Sequence, residues 1–233
     1  MALILNIETT TNICSVCLAK DGSVAAMKET GEGKAHSSLL AVYIDELLAG
    51  EKMSAASLDA VAVSKGPGSY TGLRIGVSTA KGLCYGVNAK LLGIDTLQSM
   101  AVRAIREYKN IHEHKNVLLC PMIDARRMEV YTAFYKATAE PYTEVKAEII
   151  TKTSFHKQLQ KQKVFFFGNG AEKCKKIIEH PNAVFIDGIF PCAGFLAPLS
   201  EQKFKSQQFE DIAYFEPFYL KEFITTTPKK NVF

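Results

Sequence analysis

Gly66-Pro67-Gly68-Ser69-Tyr70-Thr71-Gly72-Leu73-Arg74-Ile75-Gly76 places four glycines in eleven residues, between an apolar run at 58–64 and a helix-patterned run at about 71–85. Glycine tolerates positive φ and lets another backbone come close, so the stretch has the make-up of a tight strand-to-helix turn. A second turn of this kind, Phe167-Gly168-Asn169-Gly170, joins a run at 164–167 to a helical pattern at 172–179. Outward from these two turns, the elements fall in one order twice over. The first half gives strands at 3–7, 13–19 and 24–29, the last two joined by Asp21-Gly22. A helix at 37–48, the strand at 58–64, the helix, a strand at 90–94 and a helix at 96–108 follow. Past the polar stretch 107–116, strands at 117–123, 128–135 and 144–150 lead to a helix at 154–160, the second glycine turn with its strand and helix, and a strand at 183–186. Ile7-Glu8 and Ile123-Asp124 set a carboxylate at the same place in each half. The expected fold is α/β, a duplicated βββαβα unit in two lobes of mixed sheet flanked by helices. Residues 1–107 form the N-terminal lobe and 108–208, ending in a helix at 193–203, the C-terminal lobe. The aromatic-rich segment 209–233 is expected to pack back on the body.

Composition narrows the classes. Among 233 residues, 47% are hydrophobic and 22% charged, with only 8 Pro and 15 Gly, which suits a packed globule and not a disordered or fibrous chain. No window approaches the ~20 apolar residues of a membrane span. The apolar start runs straight into Glu8 without a basic flank or cleavage site, so a first strand is expected there and not a signal. Cys14, Cys17, Cys84, Cys120, Cys174 and Cys192 sit in apolar stretches, which fits a reducing, cytoplasmic setting. The net charge of +4 comes from dispersed lysines, and the densest cluster, Lys173, Lys175 and Lys176, is expected to be a solvated helix face. Nucleic-acid contact is permitted by such a charge and not demanded by it.

The glycine stretch leaves two roles open. Exposed N–H groups at a helix start hold anions, yet the residues after Gly72 are Leu73 and Arg74 where a Walker loop needs Lys and Ser/Thr, and a dinucleotide fingerprint would have its third glycine one residue earlier. Asp95 follows a strand as a ribose-binding acid would. A nucleotide turn and a structural turn both remain. Metal chemistry has less to offer, since His36 opens the first helix and the residue one turn on is Leu40, while His112 and His114 lie on a polar connector. Cys14 and Cys17 imitate a redox pair, but on a strand residues three apart face opposite sides. A nucleophile elbow is absent. No metal or cofactor is expected in this chain.

Two helices carry a wide apolar surface. Leu39, Leu40, Val42, Tyr43, Ile44, Leu47 and Leu48 span about two-thirds of the first helix at 100° per residue, and Leu73, Val77, Ala80 and Cys84 stripe the second, with Gly76 beside them. An arc this wide implies burial on two sides. Either both sides belong to this chain, or Leu39, Leu40, Tyr43, Leu47, Leu73, Val77, Ala80 and Cys84 form an interface with another protein.

The glycine stretch also resembles the signature of the TsaB (YeaZ) family, in which Gly66, Pro67, Gly68, Ser69, Tyr70, Thr71, Gly72 and Arg74 are the signature turn. Ile7-Glu8-Thr9-Thr10, Gly93-Ile94-Asp95-Thr96-Leu97, Asp124-Ala125-Arg126 with Glu129-Val130-Tyr131, Gly168-Asn169-Gly170 and Pro217-Phe218-Tyr219-Leu220 recur in the family's order, so the resemblance spans the chain. Glu8-Thr9-Thr10-Thr11 is similar to the hairpin with which actin-like and sugar-kinase-like ATPases hold phosphate, except that a glycine is missing and Glu8 stands where Asp is usual. The resemblance implies an actin-like fold related to ribonuclease H. It also implies a non-catalytic subunit that activates a catalytic TsaD-type homologue, with a TsaE-type ATPase, in threonylcarbamoyl transfer to the adenosine beside the anticodon (t6A) of tRNAs reading ANN codons. ATP and metal would then belong to the partners, tRNA contact would be indirect, and the first two helices would form a bundle with the homologue, or a homodimer when the chain is alone. An ATP-dependent phosphotransferase and a glycoprotease are the competing functions.

Overall fold

The computed structural model describes residues 2–30, 36–114 and 116–221. Residues 31–35, just before the first helix, the side chain of His36 and the final segment 222–233 lie outside the described residues. Three strands open the chain, β1 (Leu3–Glu8), β2 (Ser15–Lys20) and β3 (Ser23–Glu29). They pair as an antiparallel meander, and β4 (Ala60–Gly66) and β5 (Lys90–Asp95) then add in parallel beside β1, giving the order β3-β2-β1-β4-β5. Parallel addition needs a crossover, supplied by α1 (His36–Gly50) and α2 (Tyr70–Val87).

The second half repeats this plan. β6 (Val117–Asp124), β7 (Glu129–Thr132), β9 (Lys146–Ile149), β10 (Lys163–Phe167) and β11 (Ala183–Phe185) lie in the order β11-β10-β6-β7-β9, so β6 takes the place of β1 and β10 that of β4. The strand expected at 128–135 is two pieces, because β8 (Tyr135–Lys136) pairs with the early part of β6 while Phe134 between them turns its backbone to Thr143 and Tyr142. The crossovers here are short. α4 covers His156–Leu159, and α5 covers Ala171–Cys174 where a helix to 179 was expected. Beyond Cys174 only Ile178 is fully buried, so little packing holds a longer helix.

Apolar layers on the faces of the two sheets hold the lobes. One face of the first sheet, with Leu5, Ile7, Val61 and Val63, packs on α1 and α2. Its other face, with Ile4, Ala62, Leu92 and Ile94, is covered by α6 (Ala197–Lys205) and Leu196. The C-terminal lobe expected to end at 208 therefore cedes its last helix to the first sheet, whose second apolar face would otherwise meet water. α3 (Thr96–Glu107) lies between the lobes, its Leu97, Met100, Ala101 and Ala104 packed with Leu119, Ile123, Phe165 and Phe167 of the second sheet. The wide arc of α1 is consumed here as well. Leu40, Ile44, Leu47 and Leu48 are buried against β2, β3 and α2, and Leu73, Val77, Ala80 and Cys84 of α2 against the sheet. Six of the eight residues expected at a partner interface are thus core residues of this chain, and Leu39 and Tyr43 are half-buried. Most of the arc is internal because α1 lies in the angle between the sheet and its neighbour helix. What the two helices leave outward is Val42, 46% exposed, and Tyr85, 85% exposed, with the exposed small residues Ser78, Gly82 and Gly86 along α2.

Candidate functional site

The turn after β1 is closed by its own side chains. Glu8 is fully buried, one carboxylate oxygen accepting from the Thr10 amide at 2.6 Å and the Thr10 hydroxyl at 2.5 Å, the other from the Ser64 hydroxyl. Burial dominates its ionisation and raises its pKa above the usual carboxylate value, the hydrogen bonds opposing. The glycine stretch presses against this hairpin. Thr9 Oγ1 donates to the Gly72 carbonyl at 2.8 Å and the Ser69 amide donates to the Thr10 carbonyl at 2.7 Å. A Cβ on Gly72 would stand 1.9 Å from the Thr9 carbonyl oxygen, one on Gly68 2.5 Å from Thr10 Cβ, and one on Gly76 2.4 Å from Thr9 Oγ1. The glycines therefore admit the chain's own backbone, and the Ser69 hydroxyl caps α2 by accepting from the Gly72 amide at 3.3 Å. Of the two roles left open above, the structural turn describes these residues.

The equivalent turn after β6 takes the opposite form. Asp124 is exposed, and its carboxylate accepts from the Arg126 amide at 2.9 Å and from the Lys173 ammonium. Lys173 also donates to the carbonyls of Arg127 and Glu129, each at 2.7 Å, so its three protons are all engaged beneath the turn. Lys173 is thus a clamp and not part of a solvated face. Above it, Arg126 and Arg127 both adopt positive φ, 68° and 48°, at a cost of about 1–2 kcal/mol each for a side chain with a Cβ. Asn169, between the second pair of glycines, accepts from the Asp124 amide at 3.0 Å.

The C-terminal segment crosses from one turn to the other. Glu210 joins β5 through the Leu91 carbonyl at 2.9 Å. Phe215 is buried over Gly93, whose Cβ would lie 2.8 Å from its ring, and the Lys81 ammonium holds the carbonyls of Ala213 and Phe215 at 3.2 and 3.0 Å. The Phe218 amide then donates to the Lys65 carbonyl at 2.7 Å. Tyr219 lies against Tyr70 with ring centroids 5.1 Å apart, and the Arg74 guanidinium sits 4.2 Å over the Tyr70 ring with Nε 3.4 Å from the Tyr219 hydroxyl. Lys221 reaches the other lobe and pairs with Glu129. Between these walls lies a cleft of about 640 Å³, lined by Thr10, Ser69, Tyr70, Arg126, Arg127 and Tyr219 among others.

The signature turn is thereby placed on one wall of an interlobe cleft, with Pro67 and Gly68 at its base and Arg74 supporting Tyr70. Asp95, weighed above as a ribose ligand, pairs with Lys65 at 3.4 Å. The cysteines are all free and buried, and burial pushes the thiols of Cys17, Cys120 and Cys192 up to about 12, far from ready ionisation. Among the described residues no three His, Cys, Asp or Glu side chains gather at metal-binding spacing, and no helix is long and apolar enough to cross a membrane. Sequence inspection missed Tyr219 and Lys221 as parts of the cleft and Lys173 as the clamp beneath its second turn; the aromatic run 214–219 was the available signal, whereas nothing local marks Lys173 as a clamp for residues some 45 positions earlier.

Comparison with known proteins draws these features together. Residues 28–228 match the model of the family TsaD: tRNA N6-adenosine threonylcarbamoyltransferase. The chain is 29% identical to the tRNA threonylcarbamoyladenosine biosynthesis protein TsaB of Escherichia coli (strain K12), over 94% of each chain. It is 30% identical to the TsaB of Bacillus subtilis (strain 168), over 76% of this chain and 75% of that one. Among solved structures it is similar to YeaZ from Pseudomonas aeruginosa, at TM-score 0.80 and 24% identity, covering 94% of this chain and all of the other.

Proposed function

The chain belongs to the TsaD family of tRNA N6-adenosine threonylcarbamoyltransferases and, within it, to the TsaB proteins of tRNA threonylcarbamoyladenosine biosynthesis, and on that premise we propose that it serves t6A formation as a non-catalytic subunit that binds and activates a catalytic TsaD-type homologue. The observation that carries this is the sealed first turn. Where an actin-like ATPase would hold phosphate, Thr9 and Thr10 of this chain press into Gly68, Gly72 and Gly76, and the one carboxylate at the spot, Glu8, is spent on Thr10 and Ser64. The position one turn after His36, where a second metal-binding histidine of the catalytic homologue would stand, holds Leu40, buried in the core. Both features support placing ATP, metal and chemistry in partner subunits, a TsaD-type homologue and a TsaE-type ATPase, with the chain at work in the cytoplasm. The same closed turn speaks against an ATP-dependent phosphotransferase, and the reluctant thiols against a cysteine glycoprotease.

Docking is assigned to the outward faces of α1 and α2, which also suit a homodimer when the chain is alone. Val42 and Tyr85 are large apolar side chains exposed there, while Ser78, Gly82 and Gly86 allow a partner helix to approach closely. Tyr85→Glu or Val42→Glu is expected to abolish co-purification with the homologue while the chain keeps its melting temperature. Leu40→Glu, by contrast, puts a charge in the core and is expected to unfold the chain. Reconstituted t6A formation provides the test. Transfer should require this chain together with the homologue, and t6A made by this chain alone, or ATP turnover by it, would overturn the assignment.

A further inference from the structure

Charge is unevenly spread over this chain. Residues 152–180 hold seven lysines against the two carboxylates Glu172 and Glu179, while the whole chain carries a net charge of +4, so the remainder is close to neutral. The fold gathers this excess on one surface. Phe155 and Leu159 at α4, and Ala171, Cys174 and Ile178 at and after α5, all pack on the face of the second sheet that carries Leu118, Val164 and Phe166. With the apolar side chains turned to the sheet, Lys152, Lys157, Lys161, Lys175 and Lys176 are left exposed. The two crossovers meet, since the His156 ring lies 6.5 Å from that of His180 and the Asn182 NH2 donates to the Leu159 carbonyl at 2.8 Å. The lysines of α4 and those after α5 therefore share one patch. Of the seven, Lys173 is held beneath the turn after β6 and the Lys163 ammonium lies 3.2 Å from a ring nitrogen of His114. The five exposed lysines form no ion pair with a described carboxylate.

Like charges gathered on one face repel each other, and interleaved carboxylates ordinarily relieve that repulsion. Here the relief has to come from outside the face. Its remaining surface is polar: Thr153, Gln158, Gln160 and Gln162 lie among the lysines, and no large apolar side chain between 152 and 182 is exposed. A membrane-surface element sets Trp, Phe or Leu among the lipid headgroups, and a protein interface is rich in aromatic residues and arginine and poor in lysine. Lysine and glutamine without an apolar anchor are instead the make-up of contact with a phosphate backbone. We propose that the outer face of α4 and α5 docks the sugar-phosphate backbone of an RNA, without reading its sequence. That the polyanion is RNA rests on the t6A reading above, whereas the charge arrangement itself asks for a phosphate backbone. None of the five lysines lines the interlobe cleft. Since α1 and α2 cover the first sheet and α4 and α5 the second, RNA contact and subunit docking use different lobes.

Fluorescence anisotropy of the full chain with a fluorescein-labelled, unmodified tRNA transcript, at salt from about 50 to 200 mM, measures the contact directly. Lys157→Gln, Lys161→Gln and Lys176→Gln together remove three charges and keep exposed polar side chains, so the melting temperature is expected to hold. Affinity is expected to fall on the order of a hundredfold at about 0.1 M salt, and the slope of log affinity against log salt to become shallower by about 3, one for each lost phosphate contact. The charge-matched control, Lys20→Gln with Lys52→Gln and Lys90→Gln in the first lobe, is expected to leave that slope unchanged. An unchanged slope in the face variant, equal losses in the two triple variants, or binding to phosphatidylserine vesicles without binding to the RNA overturns the proposal. In reconstituted t6A formation the face variant is expected to raise KM for tRNA and to leave kcat intact. The two conclusions fail separately. RNA affinity lost in the face variant, with t6A formed equally well without this chain, overturns the t6A reading and keeps the RNA surface. Formation of t6A that needs the chain, with RNA affinity unchanged in the variant, does the reverse.

Discussion

The two halves of this chain build one turn twice and use it in opposite ways. After β1, the carboxylate of Glu8 is buried and satisfied by neutral donors, and the glycine turn is packed so closely that the chain fills its own anion site. After β6, the carboxylate of Asp124 stays in solvent, a lysine holds the turn from beneath, and two arginines project without partners among the described residues. The glycines perform the same steric service in both, since a Cβ on Gly168 would lie 2.3 Å from the Met122 carbonyl oxygen much as one on Gly72 would collide with Thr9. Duplication thus conserves the packing of backbone on backbone and leaves the side chains free to make one turn inert and the other charged.

The strongest way to break this comparison is at the glycines. Gly72→Ala sets a methyl 1.9 Å from a backbone oxygen that cannot swing aside, and a loss of about 3 kcal/mol is expected, at the upper end for overpacking, measured by urea unfolding. A variant of parental stability would mean that the hairpin is not locked on the turn. Lys173→Met tests the second turn. It removes three acceptors' shared donor from a partly buried site, and about 1–2 kcal/mol should be lost, with exchange of the Glu129 amide accelerated; unchanged exchange would leave the clamp without a role. Neither change is expected to disturb the other lobe.

Glu8→Gln sharpens the electrostatic side of the contrast. Its amide oxygen can keep both Thr10 donors while its NH2 donates to the Ser64 hydroxyl. Because burial raises the Glu8 pKa in the folded chain above 4.5, the native state holds the proton more tightly than the unfolded state does, and this group's contribution falls as pH climbs from 4.5 through the native value. The glutamine chain should therefore lose less stability than the parent over that rise, with a difference of up to about 1.4 kcal/mol per pH unit inside the window. Parallel curves would show that Glu8 ionises without cost. The smallest effect is expected at Gly82, where an added methyl would meet nothing within 4 Å. Gly82→Ala should add about 0.5–1 kcal/mol to the isolated chain, and a loss there would mean that α2 is not free on that side.

Much of the fold was legible in the residues. Period-two runs, the Asp21-Gly22 turn and the two glycine turns placed the strands within a few positions and exposed the duplication, since these signals depend on neighbours along the chain. The site was legible less evenly. Spacing marked Gly66 to Gly76 as unusual and favoured a structural turn without excluding a nucleotide turn. The apolar arc of α1 was visible, but not its owner, and six of the eight residues nominated for a partner are buried within this chain. The short α5 and the split between β7 and β8 escaped notice because each is set by packing and by hydrogen bonds to residues distant in sequence.

Local chemistry alone thus determined the element order, the repeat and the pair of carboxylates that head the two turns. Only the tertiary structure decided that Thr9 fills the space Gly72 leaves, that Lys173 reaches back beneath Arg127, and that the C-terminal segment ties Tyr219 to Tyr70 and Lys221 to Glu129. Periodicity and turn chemistry are written in adjacent residues, whereas whether a cavity is filled or a charge is paired depends on which distant segment arrives there.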